Sequence, residues 1–150
     1  MRTLLNILWL VLAGFWLAIG YVIAGVINCI FIITIPFGIA SFRMAGYALW
    51  PFGRSVVPKG LTTGALATLG NIIWFIFGGL WLALLHMIAG ILLCLTIIGI
   101  PLGIASFKMA GLALAPLGKT IVPNSAIAAH YAKLGNADAA KPISLDPPSE

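Results

Sequence analysis

The residues able to do acid–base chemistry are few, and their placement is restrictive. The only carboxylate side chains are Asp138, Asp146 and Glu150, all in the C-terminal tail. None can serve a buried active site, a proton relay or a cation site within the long apolar stretches. A nucleophile would need Ser41 or Ser106 beside His86, with no carboxylate to orient the imidazole. Cys29 and Cys94 with His86 and His130 have no ligand-like spacing, so no zinc site is expected. The two thiols read as buried and free; a disulfide at membrane depth near a reducing cytoplasm would be unusual. These residues speak against an enzyme and against a cation-coupled transporter, and they imply no cofactor and no metal.

The remaining charged groups are cationic. Eight Lys and Arg residues against three acids give a net charge of +5. They form no stripe on a polar surface, so nucleic acid is excluded as a partner. From Thr3 to Phe42 there is no Asp, Glu, Lys, Arg or His, and from Gly60 to Phe107 only His86. Charged residues make up 7% of the chain, where soluble domains have about 25%. Mean hydropathy is +1.15. Lys and Arg that flank such segments mark a membrane surface and anionic headgroups. The opening MRTLLNILWLVLAGFWLA imitates a secretory signal. It reads as structural, because the apolar run continues past Ala18 and NIIWFIFGGLWLA repeats it internally.

That recurrence extends through the chain. At an offset of 65, Asn6–Pro58 aligns with Asn71–Pro123 without a gap, and 29 of 53 positions are identical. Arg43/Lys108 and Arg54/Lys119 keep their charge. The organisation expected is a repeat over 1–58, a linker over 59–70, a second repeat over 71–123 and a polar tail over 124–150. The tail should be disordered and cytoplasmic, apart from a short helix over SAIAAHYAKL. LNILW…GFWLA with TIPFGIASFRMAGYALWPFG, and GNIIW…GLWLALLHMIAG with TIIGIPLGIASFKMAGLALAPLG, resemble the YccF family of tandem-repeat inner-membrane proteins. The resemblance implies a multi-pass protein of the bacterial inner membrane; it carries over no functional residues.

The fold expected is an all-α membrane protein of two homologous helical units. Each is a two-segment hairpin, giving four spanning segments, with the second segment broken at I-P-x-G. Tyr21 and His86 would mark the turns at the membrane interface, and both termini would be cytoplasmic by the positive-inside rule. A second topology, one tilted span per unit followed by a surface helix, would invert the two copies. The helix breaks are Pro36, Gly38, Pro101 and Gly103. Gly14 with Ala18, and Gly79 with Ala83, form small-residue pairs for close helix packing. Trp9 and Trp16, seven apart, should share a face; Trp9 and Trp74 suit an aromatic belt, Trp16 and Trp81 the packed interior. Cys29, Pro36, Arg43 and Trp50 would line one face before any kink.

Two functional readings follow from the cations beyond the breaks. In the first, Arg43, Arg54, Lys108 and Lys119 contact anionic phospholipid, in a homo-oligomeric, non-enzymatic structural or accessory component. In the alternative, the paired breaks form a polar cationic site in a small channel or transporter for an anion or neutral solute. Asn6, Asn28, Thr34, Ser41, Asn71, Thr96 and Ser106 would then line its path.

Overall fold

The computed structural model describes residues 2–59, 64–135 and 142–146. The first arm is one rod from Arg2 to Ile30: helix α1 (Arg2–Trp9), a π-helical turn (Leu10–Gly14) and helix α2 (Phe15–Ile30). Its 29 residues reach about 43 Å at 1.5 Å per residue. The chain reverses over Phe31 and a 3₁₀ turn (Ile32–Thr34) and returns as α3 (Ile35–Leu49), then β1 (Arg54–Pro58). The second unit repeats this plan with α4 (Gly64–Trp74), a π-turn (Phe75–Gly79), α5 (Leu80–Cys94), α6 (Ile100–Leu114) and β2 (Lys119–Pro123). A 3₁₀ turn (Asn124–Ala126), α7 (Ile127–Leu134) and β3 (Ile143–Ser144) complete the described chain. Among the described residues three helices are long and apolar enough to cross a membrane: Arg2–Ile30, Ile32–Leu49 and Ala67–Cys94; Ile100–Leu114 is apolar but shorter. The protein is a mostly helical membrane protein with an internal repeat.

The reversals do not lie at Tyr21 and His86. Both residues are buried in mid-helix, and the helices of each hairpin are joined by the reversals at Phe31–Thr34 and Leu95–Gly99. Pro36 and Pro101 therefore open the second helix of each unit and do not break it. Proline is tolerated in a first turn, where its missing N–H would have no partner anyway. Gly38 and Gly103 follow in the same turn and allow close approach. A Cβ at Gly38 would collide with Cys29 Sγ and stand 2.9 Å from the Gly25 carbonyl oxygen. Because the chain reverses between Cys29 and Pro36, the residues spaced by seven from Cys29 to Trp50 form no common helical face. Cys29 and Cys94 are free thiols, but not the buried ones expected: Cys29 is exposed and Cys94 half-buried, each lying against a glycine of its own unit.

The tryptophans are also placed the other way round. Trp9 is 0% exposed and Trp16 is 68% exposed; Trp74 and Trp81 repeat the pattern. The π-turn between them is the cause. It inserts the equivalent of one extra residue, rotating the remainder of the arm by about 100°. Seven residues then no longer return to the same face. Trp9 Nε1 donates to the Ala48 carbonyl at 2.6 Å and Trp74 Nε1 to that of Ala113 at 2.7 Å, tying the two helices of each hairpin.

Two further differences concern the segments outside the hairpins. Helix α4 starts at Gly64, inside the expected linker 59–70, so the described part of that stretch is largely helical. The tail is ordered where it is described. Helix α7 coincides with the expected short helix, and His130 Nε2 lies 2.8 Å from the Pro58 carbonyl. β3 pairs with β1 through Ser55↔Ser144 and Val56↔Ile143. Residues 136–141, with Asp138 and Lys141, and residues 147–150, with Glu150, lie outside the described residues. Leu145 is buried, and Asp146 accepts from the Gly53 N–H at 2.8 Å and from Asn124 Nδ2, and pairs with Arg2 at 3.2 Å. Gly53 can present that N–H because it sits at φ +95°, a region costly for any side chain. Asp146→Ala should therefore lower stability by about 1–2 kcal/mol, mostly through the orphaned donors and little through the exposed ion pair. Thermal unfolding in detergent measures it; an unchanged midpoint would show that the tail is not held this way.

The two units are related by a pseudo-dyad. In the β1–β2 ladder Arg54 faces Pro123, Val56 faces Ile121 and Pro58 faces Lys119. Val56 and Ile121 are repeat-equivalent, so the ladder is centred on the dyad. Tyr21 and His86, also equivalent, meet on it at 3.1 Å.

Candidate functional site

The cations expected to contact anions come from two layers that the dyad stacks. Arg43 projects from α3 towards the second unit's strand. Its Nη2 donates to the Lys119 carbonyl at 3.0 Å and to Thr120 Oγ1 at 3.1 Å. Lys108, its equivalent on α6, meets the tail instead: Nζ donates to the Ser144 carbonyl at 3.2 Å. The difference follows from the sheet order β2-β1-β3. β3 covers the outer edge of β1, whereas no described residue pairs with the outer edge of β2. One of two equivalent grooves is thus closed by the tail. The other remains open, about 330 Å³, and Phe42, Arg43, Gly46, Arg54, Thr120 and Val122 are among the residues lining it. Arg54 is exposed there, and Lys119 is half-buried beside Arg43. Burial holds the Lys119 ammonium pKa below its ordinary value. Two guanidiniums at one open groove provide forked donors suited to phosphate or carboxylate. Arg43 lines the open groove with Arg54 and a separate small pocket with Lys119; Arg54 and Lys119 stand at opposite ends of the β1–β2 ladder, and Lys108 lies apart, against β3.

A second polar cluster lies on the dyad, between the arms. His86 Nε2 is 3.1 Å from the Tyr21 hydroxyl and Nδ1 is 3.4 Å from Ser106 Oγ, which donates to the His86 carbonyl at 2.7 Å. The Ser106 proton is committed to that carbonyl. Nδ1 therefore carries the ring proton and Nε2 accepts from Tyr21. The serine–histidine pair expected as the only possible nucleophile does form. Among the described residues it has no carboxylate partner, and its hydroxyl proton points away from the base. Its chemistry is that of a polar lock between the units. The equivalent hydroxyl, Ser41 Oγ, is buried with no partner among the described residues.

Gly14 and Gly79 make room for tryptophan. A Cβ on Gly14 would stand 2.6 Å from the Trp9 ring and 2.8 Å from the Ala48 carbonyl oxygen. Ala18 and Ala83 are buried beside them. Sequence reasoning missed a second tie at the base of each hairpin. Asn6 donates to the Phe52 carbonyl at 2.9 Å and accepts from its N–H at 3.0 Å. Asn71 does the same with Leu117 at 3.2 and 2.9 Å. Identity of Asn and Trp in both copies was the available signal. Of the polar residues that could line a path, Asn28, Thr34 and Thr96 also bond to nearby carbonyls. Among the described residues no three His, Cys, Asp or Glu converge on a metal-sized site.

The chain matches the model of the YccF inner membrane component domain twice, over residues 4–54 and 69–119. It is 41% identical over 132 residues to the inner membrane protein YccF of Escherichia coli K12, covering 81% of this chain and 88% of that protein. The inner membrane protein YccF of Shigella flexneri matches equally. No solved structure matches. Each matched segment contains one Trp–Gly tie, one I-P-x-G helix start and one basic residue on the returning helix. With both repeats matched and most of a relative's length covered, the chain belongs to the YccF family of inner membrane components.

Proposed function

We propose that the protein is a non-enzymatic structural component of the bacterial inner membrane that holds anionic phospholipid at its cationic layer. The observation that carries this reading is the open groove that Arg43 and Arg54 line together. Its charge suits a phosphate, and the apolar arms beneath supply a surface for acyl chains. Charges near an anionic surface contribute about 1 kcal/mol each. The alternative, a channel for an anion or neutral solute, is less well supported, because most of the candidate path residues spend their hydrogen bonds on adjacent backbone.

The test is lipid retention. Arg43→Gln with Arg54→Gln should lower the anionic lipid that co-purifies, read by mass spectrometry, by on the order of tenfold, with insertion and yield kept. Undiminished anionic lipid would remove this function. A solute flux in liposomes that the double variant abolishes would install the channel in its place.

A further inference from the structure

We propose that the outer edge of β2 is an empty strand site, the repeat twin of the one that the tail fills on β1, and that it receives an extended segment of a partner protein with an apolar–small–apolar–acidic pattern.

The filled site shows what such an edge can hold. β3 pairs with β1 through Val56↔Ile143 and Ser55↔Ser144. Lys108 of α6 donates to the Ser144 carbonyl, and Leu145 is buried. Asp146 then accepts from the Gly53 N–H and from Asn124 Nδ2. An open backbone edge, a cation on the returning helix and a glycine of positive φ together hold a strand, an apolar anchor and a carboxylate.

The offset of 65 carries these features into the second unit. Ile121 stands for Val56, Arg43 for Lys108, Gly118 for Gly53 and Lys59 for Asn124. Gly118 also has a positive φ, +80°. The backbone of the edge faces the right way. Asn124 N–H donates to the Gly53 carbonyl and Lys59 N–H to that of Gly118. Backbone groups alternate sides along a strand, so Thr120 and Val122 bond towards β1 while Ile121 presents its N–H and C=O outward. Val56 offers the same pair of groups to Ile143, but no described strand meets those of Ile121. The open groove beside this edge, lined by Phe42, Gly46 and Val122 among others, lies where the twin of Leu145 would enter. Arg43 marks the vacancy. Lys108 donates to the strand on its edge, whereas Arg43 folds onto the bare edge and donates to the Lys119 carbonyl, an acceptor that also faces outward.

Charge selects the occupant. Lys59 in place of Asn124 adds an exposed ammonium where the twin of the Asp146 carboxylate would lie. Asp146 is the only acid among the described residues, and it is committed to the filled site. The described chain holds one tail strand, and β1 already has it. A second copy placed edge to edge would gather Arg43 and Lys119 of both copies along one ladder, with no free acid among the described residues to offset them. An acidic extended segment of another protein meets neither objection. Strand addition of this kind takes affinity from main-chain bonds and specificity from side-chain pockets. Such a segment and a phospholipid headgroup would both draw on Arg43, so the two would exclude each other.

The probe is a fluorescent peptide, Lys-Pro-Ile-Ser-Leu-Asp-Pro-Pro, added to the full chain after delipidation in a neutral detergent, so that the result is independent of lipid retention. Fluorescence anisotropy should show saturable binding at one site. Ile121→Pro should weaken it by about tenfold or more, because proline removes the outward N–H and leaves the bonds to β1 in place. Lys59→Gln, at an exposed position that keeps the test open should Ile121→Pro not fold, should weaken it by about tenfold, as should Asn for Asp in the peptide. A photoreactive leucine in the peptide should cross-link to α3 near Phe42 and Gly46. Cross-links to α6 near Phe107 and Gly111 would mean that the peptide had displaced the chain's own tail, and would overturn the proposal. Absence of binding, or binding indifferent to Ile121→Pro and Lys59→Gln, would overturn it as well. A chain that purifies as a dimer and becomes monomeric with Ile121→Pro would give the edge to a second copy instead.

Discussion

Gly14→Leu should be among the most damaging single substitutions in the chain, costing about 3–5 kcal/mol or abolishing recovery of folded protein. Its Cβ would lie 2.6 Å from the Trp9 ring and 2.8 Å from the Ala48 carbonyl oxygen, and the second of these is backbone that cannot rotate away. Relief would require moving either α3 or the fully buried indole, and either movement breaks the Trp9–Ala48 bond. The indole N–H would then be orphaned in an apolar core, adding a desolvation cost to the steric one. Gly79→Leu should behave alike but less severely, its nearest atoms being 2.9 Å and 3.1 Å away. Gly46→Ala and Gly111→Ala are the controls. Nothing lies within 4 Å of either Cβ, and both are mid-helix, so alanine should be neutral or stabilising by up to about 1 kcal/mol. Thermal unfolding in detergent separates the cases, with shifts on the order of 10 °C for the first pair. Similar midpoints for all four variants would refute the proposed role of the Trp–Gly tie.

The second large effect should appear in a cycle across the dyad. Tyr21→Phe removes the hydroxyl and leaves His86 Nε2 buried without a donor; the expected loss is about 1–3 kcal/mol. His86→Leu should cost at least as much, since it strands the Tyr21 hydroxyl and also removes the Nδ1 contact with Ser106. The double variant should lose clearly less than the sum, because the polar pair then disappears from both sides and no orphan remains. A coupling above about 1 kcal/mol is expected for groups in direct contact. Strict additivity would mean that the two side chains do not share a bond, and the joint between the units would have to be sought elsewhere.

Much of the architecture was legible in the sequence. Apolar length, the gapless repeat at an offset of 65 and the flanking cations determined a helical membrane protein of two like units. The placement of the carboxylates was legible too: all three lie in the tail, outside the long apolar stretches. The sequence also determined which residues matter inside a unit, because Trp9, Gly14, Gly38 and Asn6 are identical in both copies.

Features decided by the tertiary structure alone depend on contacts between distant residues. Spacing of seven implied a shared face for Trp9 and Trp16, but a π-turn rotated one away from the other, and π-turns leave no period in the sequence. Tyr21 and His86 looked interfacial because a polar ring in an isolated helix is costly in lipid; the cost vanishes when the two rings are brought together by the dyad. Proline suggested a break within a helix, whereas the reversal before it made Pro36 a helix start. The asymmetry of the two cationic grooves could not be read from the repeat at all. It arises because a short strand of the tail pairs with β1, while no described strand pairs with the outer edge of β2.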